Sequence, residues 1–118
     1  MADYRKLRVW ERATKLTKDI YEIAATASKA GHTSLADQLE RAAGSIGANI
    51  AEGSGHRSRK EFARYLTYSI ASSCELENHI GTARDIDLIT WPQSVQAFNE
   101  IEGVRKMLTR LRDKLDGK

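Results

Sequence analysis

The sequence contains little cysteine, proline or aromatic residue. Cys74 is the only cysteine, so no disulfide can form within one chain. Pro92 is the only proline, and aromatic residues make up 7% of the 118 residues. No apolar run approaches the roughly 20 residues of a membrane-spanning helix, and the N-terminal residues lack the apolar core of a signal peptide. These absences exclude an internally disulfide-linked fold and predict a cytoplasmic protein without a membrane segment.

Signals for β-strands are also nearly absent, because no Asn-Gly or Asp-Gly turn joins two alternating apolar segments. Apolar and small residues instead recur every three or four positions, as on one face of a helix. The four faces are Leu7, Trp10, Ala13, Leu16, Ile20 and Ala24; Leu35, Leu39, Ala42, Ile46 and Ile50; Phe62, Leu66, Ser69, Ser73, Leu76, Ile80 and Ala83; and Val95, Phe98, Ile101, Leu108, Leu111 and Leu115. Short connections between them predict an all-α fold, an antiparallel up-down-up-down four-helix bundle, as a single domain over 1–118.

Glycines and capping residues mark the predicted helix boundaries. Gly31 is expected to end the first helix, and Gly53 with Gly55 to end the second. Three pairs resemble capping boxes, in which the first side chain accepts a hydrogen bond from the backbone three residues later. These pairs are Ser34 with Asp37, Ser58 with Glu61, and Thr90 with Gln93.

The turn between the second and third helices combines glycines with a basic run, in the stretch GSGHRSRKEFAR from Gly53 to Arg64. A glycine-rich turn that opens a basic helix can bind phosphate. This stretch lacks the Gly-Lys-Ser/Thr ending of a nucleotide-binding loop, and no β-strand precedes it. An ordinary helix end followed by a capped helix start therefore accounts for its glycines and for Ser58.

Basic residues are concentrated at one end of the predicted bundle. The start of helix 1, the turn between helices 2 and 3, and the end of helix 4 meet there, and we define the basic end as segments 1–17, 45–70 and 104–118. The basic end holds 15 basic and 6 acidic residues. The remaining segments, the acidic end, hold 4 basic and 10 acidic residues. The formal net charge of +3 therefore conceals a strongly polarised molecule.

Such a basic surface can bind the phosphate backbone of RNA or DNA without reading its sequence. The nearby rings of Tyr4, Trp10, Tyr65 and Tyr68 can stack on bases, or they belong to the core or to an interface. Basic side chains on helices are also commonly just solvated, so the alternative is a surface without a ligand. The candidate nucleic-acid contacts are Arg8, Arg12, Arg57, Arg59, Lys60 and Arg64.

No pattern of catalytic or metal-binding residues is found. A di-iron bundle needs repeated Glu-x-x-His motifs, whereas Glu75 is followed by Asn78 at that position and His79 comes one residue later. Cys74 is expected to be a small buried residue of helix 3, since free cysteine is usually buried. We therefore expect no enzymatic activity, no cofactor and no metal site.

Helix 2 carries two glycines in its interior, Gly44 and Gly47, although each costs a helix roughly 1 kcal/mol relative to alanine. Small residues on a helix face allow a neighbouring helix to approach closely. Helix 3 carries a second stripe beside its core face, which includes Tyr65 and Tyr68. We predict that these four residues form a homo-oligomer interface; the alternative is a tightly packed helix pair within the monomer.

Three stretches resemble the four helix bundle protein family, whose first members are encoded by intervening sequences in bacterial large-subunit ribosomal RNA genes. They are YRKLRVWERA, QLERAAGSIGANIAEGSGHRSRKEFARYL and SSCELENHI. The most specific part is the block from Asn49 to Gly53, followed by Ser58, Lys60, Glu61 and Phe62. The sequence departs from the family at Gly47, where proline is frequent.

The resemblance implies a four-helix bundle that assembles into a ring-like homopentamer. The family is related to the accessory variability determinant of diversity-generating retroelements, and those relatives bind nucleic acid and a reverse transcriptase through basic ring surfaces. Arg57, Arg59, Lys60 and Arg64 match the basic turn of the family. Two functional classes follow: an oligomeric nucleic-acid-binding protein without enzymatic activity, or a structural or protein-interaction module without a nucleic-acid ligand.

Overall fold

The computed structural model describes residues 3–118, which form four long α-helices after a short 3-10 turn at Tyr4–Lys6. The helices are α1 (Arg8–Lys29), α2 (Thr33–Ser54), α3 (Arg59–Asp85) and α4 (Trp91–Leu115). No strand occurs in this part of the chain, and none of its helices is long and apolar enough to cross a membrane. The predicted all-α fold class is therefore confirmed.

The four helices form an elongated bundle that measures 44 × 21 × 19 Å. Each helix packs extensively against the next one along the chain, as expected for antiparallel neighbours joined by short loops. Helices α1 and α4 close the bundle with a much sparser contact than the other neighbouring pairs make. A groove between α1 and α4 therefore remains along one side of the molecule.

The core lies between the helices and follows the predicted faces of α2 and α3 completely. All five residues predicted for α2 are buried, as are all seven predicted for α3, including Ser69 and Ser73. In α1 the core also includes Val9, whereas Leu7 and Trp10 pack only partly against it. Burial of these apolar faces supplies the main driving force for the fold, at about 25 cal/mol per Å².

The buried face of α4 differs from the predicted one. It consists of Ser94, Ala97, Ile101, Val104 and Leu108. Val95 is 41% exposed, so its predicted place in the core was wrong, and Phe98 packs against the core but is only partly buried. Ile101 and Leu108 are buried as predicted. Ser94 can be buried because its hydroxyl donates a hydrogen bond to the carbonyl oxygen of Trp91 at 2.6 Å.

The predicted helix boundaries are confirmed with two exceptions. Gly31 ends α1 in the left-handed region at φ +88°, and Thr90 with Gln93 forms a complete capping box. The first exception is the start of α2: the helix begins at Thr33, its N-cap His32 makes no side-chain hydrogen bond, and the capping box predicted for Ser34 with Asp37 was wrong.

The second exception concerns α3, where only half of the predicted box forms. Ser58 accepts a hydrogen bond from the backbone N–H of Glu61 at 3.2 Å. The Glu61 carboxylate accepts a hydrogen bond from the Arg64 guanidinium at 2.8 Å instead of returning to Ser58. The cap that starts α3 thus depends on the serine hydroxyl alone.

Gly53 lies inside the last turn of α2, which continues to Ser54 with Gly55 as its C-cap. A Cβ atom at Gly53 would lie 2.7 Å from Tyr65 Cβ and 3.0 Å from Phe62 Cδ1. This glycine therefore permits the close approach of α2 to α3, in addition to marking the end of the helix.

Candidate nucleic-acid interface

The three basic segments meet at one end of the bundle, as the predicted topology requires. The Arg59 guanidinium donates hydrogen bonds to the carbonyl oxygens of Lys114 at 2.9 Å and Leu115 at 3.2 Å, which joins the start of α3 to the end of α4. The start of α1 and the end of α4 line a common cavity, to which Leu7 and Leu111 both contribute. The basic end is thus a continuous region of the folded chain.

Among the candidate contacts on the turn between α2 and α3, the side chains of Arg57 and Lys60 have no partner within residues 3–118. Both are exposed, and neither side chain forms a hydrogen bond or an ion pair with another residue in the described part of the chain. Their charges are therefore open to solvent and to an anionic ligand.

Arg64 belongs to a cluster of aromatic and charged side chains on the first turns of α3. Its guanidinium contacts the Glu61 carboxylate at 2.8 Å and donates to the Tyr68 hydroxyl at 3.1 Å. It also lies 5.5 Å from the Tyr65 ring centre and 5.7 Å from that of Tyr68. The hydrogen bond to Glu61 raises the pKa of Arg64 above its ordinary value, so this side chain is charged and partly neutralised by its neighbour.

The aromatic cluster continues towards the turn. The His56 ring stacks on the Tyr65 ring at a centre-to-centre distance of 5.1 Å, and Tyr65 meets Tyr68 edge to face at 5.5 Å. Tyr68 is 43% exposed. The sequence placed these rings among basic residues, but it did not indicate the stacking with His56.

Arg59 has a structural role that its position in the sequence does not reveal. Its two hydrogen bonds satisfy carbonyl oxygens at the end of α4, where the helix carries a partial negative charge. These bonds hold the guanidinium against the protein, although the residue is exposed. We therefore regard Arg59 as a cap of α4 first, and as a weaker candidate for phosphate contact than Arg57 or Lys60.

Arg8 and Arg12 lie at the groove between α1 and α4, apart from the turn between α2 and α3. Arg8 is exposed and lines the cavity shared with the end of α4. The Arg12 guanidinium crosses α4 beside Met107 Sδ at 3.7 Å, and its Nη2 atom would lie 2.9 Å from a Cβ atom placed on Gly103. The candidate contacts thus divide into two groups within the same basic end.

The four residues of the predicted oligomer interface have different surroundings in the monomer. A Cβ atom on Gly44 would have no neighbouring atom within 4 Å, so this face of α2 is open. A Cβ atom on Gly47 would lie 3.6 Å from Trp10 Nε1, so Gly47 contributes to packing between α2 and α1. Tyr68 is exposed and Tyr65 is partly buried. The interface itself stays a prediction.

Cys74 is exposed on α3, so the expectation of a small buried residue was wrong. Its sulfur lies 3.6 Å from Arg105 Nη1, beside the ion pair between Arg105 and Glu77. Within residues 3–118, no group of three or more His, Cys, Asp and Glu side chains is placed to hold a metal ion.

An unpredicted carboxyl pair lies between α1 and α4. Partial burial raises the pKa of Glu100, and hydrogen bonding to Asp19 together with the charge of Asp19 raises it further. Lys15 opposes the shift. Sequence spacing did not reveal this pair, because its members are far apart in the chain.

A protein-family model described as "23S rRNA-intervening sequence protein" matches residues 5–110 of the chain. No curated protein matches the chain. Among solved structures, the fold is similar to a crystal structure from Bacteroides thetaiotaomicron, described as a protein with unknown function from the S23 ribosomal protein family. The TM-score is 0.83 at 22% sequence identity, and the match covers 88% of this chain and 97% of the other. At this identity the similarity supports the fold.

Proposed function

Because the chain belongs to the 23S rRNA-intervening sequence protein family, we propose that it is a non-enzymatic, oligomeric protein that binds nucleic acid through its basic end. The observation that carries this proposal is the pair Arg57 and Lys60, which project from the basic end without an ionic partner among the described residues. Because the family is named after ribosomal RNA, structured RNA is the ligand to test first. Contacts between cations and phosphates would bind DNA as well.

The ligand group is the phosphate backbone, since the candidate contacts are exposed cations on a turn and a helix surface. Lysine and arginine that neutralise phosphates release condensed counterions, which gives affinity with little dependence on sequence. Arg64 adds a charge beside the exposed Tyr68 ring, and aromatic rings next to cations suit unpaired bases. The acidic end, with its excess of carboxylates, would repel the same ligand and so orient the protein on it.

Binding measurements with two double variants test the proposal. Arg57→Ala/Lys60→Ala removes two unpaired cations from the basic end, and Lys18→Ala/Lys29→Ala removes the same charge from exposed positions outside it. The first variant should bind unrelated structured RNAs and DNA duplexes more weakly, and by a similar factor for each, whereas the control should bind much as the wild type does. If the wild type shows no salt-dependent binding to any of these probes, the protein-interaction module replaces this function.

Oligomerisation is the second part of the proposal, and the open α2 surface at Gly44 together with the exposed Tyr68 supports it. Following the family resemblance, the expected assembly is a homopentamer. Light scattering coupled to gel filtration should give the pentamer mass, and Gly44→Leu should reduce it because the larger side chain obstructs a close contact. Gly44 is a better test than Gly47, which already contacts Trp10 within the monomer. A wild-type monomer at micromolar concentration would contradict this part.

A further inference from the structure

An exposed apolar patch lies at the acidic end, where α3 connects to α4. Trp91 is 64% exposed, Ile86 in the connection is 43% exposed, and Val95 one helical turn beyond Trp91 is 41% exposed. These are three of the five large apolar side chains that the described part of the chain exposes. Trp91 and Val95 lie one helical turn apart on α4, and neighbouring exposed apolar side chains are a mark of interaction surfaces.

The surroundings of Trp91 restrict the chemistry of the partner. The Arg84 guanidinium lies 4.4 Å from the Trp91 ring centre and pairs with the Asp85 carboxylate at 3.2 Å, so its own charge is already balanced. Asp87 is exposed in the same connection, where its backbone adopts φ +62°. The patch thus has an apolar centre and, beside it, the Asp87 carboxylate, which forms no ion pair within the described part of the chain. Its partner must offer an apolar recess with cations around it.

A recess of this type exists at the opposite end of the same chain. An open surface cavity of about 310 Å³ lies between the start of α1 and the end of α4, where these two helices pack sparsely. Its apolar lining comes from Leu7, Val9, Met107 and Leu111. Arg8, Arg110 and Lys114 also line it; they are exposed, and their side chains form no hydrogen bond or ion pair with residues of the described chain.

We propose that Trp91 of one copy inserts into this cavity of a second copy and joins the two molecules end to end. The carboxylate of Asp87 then faces the cations around the cavity, and the indole ring lies within reach of arginine guanidinium groups. The contact is heterologous, because it joins two different surfaces, and it leaves both surfaces available for further copies at the two ends of the pair. It is separate from the α2–α3 face that carries the proposed ring interface.

Sedimentation equilibrium over a range of protein concentrations tests this contact. The average mass of the wild type should rise with concentration above the mass of Trp91→Ala, whereas Tyr21→Ala should behave as the wild type does. Tyr21 is a suitable control because it is an exposed aromatic residue of α1, at 48% exposure. Equal masses for the wild type and Trp91→Ala at every concentration would overturn the proposal.

A charge exchange identifies the partner surface. Asp85→Lys/Asp87→Asn and Arg110→Glu/Lys114→Glu should each lose end-to-end association, because both surfaces of either variant then lack opposite charge. An equal mixture of the two variants should regain it, since the unaltered patch of the second variant meets the unaltered cavity of the first, and the two altered surfaces also carry opposite charge. Failure of the mixture to associate would overturn the proposed pairing, provided that circular dichroism shows both variants folded.

Fluorescence gives a second readout that does not depend on total mass. In Trp10→Phe, Trp91 is the only remaining tryptophan. Quenching of its emission by acrylamide should decrease as the protein concentration rises, because association covers the exposed ring. If the quenching of Trp91 does not depend on protein concentration, association does not cover this ring, and its insertion is excluded. The same conclusion holds for molecules that assemble through the α2–α3 face.

Discussion

Replacing Gly53 with alanine should destabilise the bundle, even though alanine favours a helix over glycine by about 1 kcal/mol. The new Cβ atom would lie 2.7 Å from Tyr65 Cβ, a side-chain atom fixed to the α3 backbone that cannot move by rotation alone. It would also lie 3.0 Å from Phe62 Cδ1 in the core. Overpacking of this kind costs typically about 1–3 kcal/mol, so we expect a net loss of up to about 2 kcal/mol.

Gly81→Ala is the control, because it makes the same change inside α3, where no atom lies within 4 Å of the added carbon and no interface is proposed. It should stabilise the folded chain by up to about 1 kcal/mol. Urea unfolding of the wild type and both variants, followed by circular dichroism, gives the change in the free energy of unfolding for each variant. The comparison holds if the free energy falls with urea concentration at the same slope in all three proteins. A Gly53→Ala variant as stable as Gly81→Ala would refute the close approach of α2 and α3 at this position.

Three further predictions concern caps and ionisation. Arg59→Ala should cost about 1 kcal/mol of unfolding free energy because it removes two hydrogen bonds to the end of α4, where the Lys114 carbonyl keeps the Gly117 N–H as a donor. Arg57→Ala should stay within about 0.5 kcal/mol of the wild type in the same urea titration. Ser58→Ala should also cost about 1 kcal/mol through the lost cap of α3, and Ser58→Asn should recover most of it. Glu100→Gln should raise Tm at pH 7. The raised pKa means that the folded state binds this proton more tightly, so wild-type stability falls as pH rises above the ordinary glutamate value of 4.5. The difference in Tm between Glu100→Gln and the wild type should therefore disappear well below pH 4.5. An equal difference in Tm at pH 7 and below pH 4.5 would show that ionised Glu100 does not destabilise the folded state.

Periodicity predicted the helices and most of the core, because residues three and four apart lie on one face whatever the tertiary contacts. The first half of α4 shows the limit of this reasoning. Ser94 and Ala97 take the buried positions, while the more apolar Val95 faces solvent. Which face is buried depends on how closely the neighbouring helices approach, and small residues are favoured where they approach closely. The exposed patch with Trp91 follows from that rotation.

The candidate site was predictable in its location and less so in the roles of its residues. Topology alone brought the three basic segments together, since antiparallel helices place alternate termini at one end. The sequence could not show that Arg59 caps α4 while Arg57 remains unpaired, because this depends on the distance between α3 and the end of α4. The carboxyl pair of Asp19 and Glu100 was hidden for the same reason.

If unpaired cations of the basic end contact phosphates, the binding constant must depend on the salt concentration. The logarithm of the binding constant should fall linearly with the logarithm of the salt concentration for a structured RNA. Arg57→Ala/Lys60→Ala should flatten that slope by roughly 1 to 2, about one for each phosphate contact removed, whereas Lys18→Ala/Lys29→Ala should leave it unchanged. Equal slopes for the wild type and both variants would show that the charges of Arg57 and Lys60 do not contact the phosphates of the ligand.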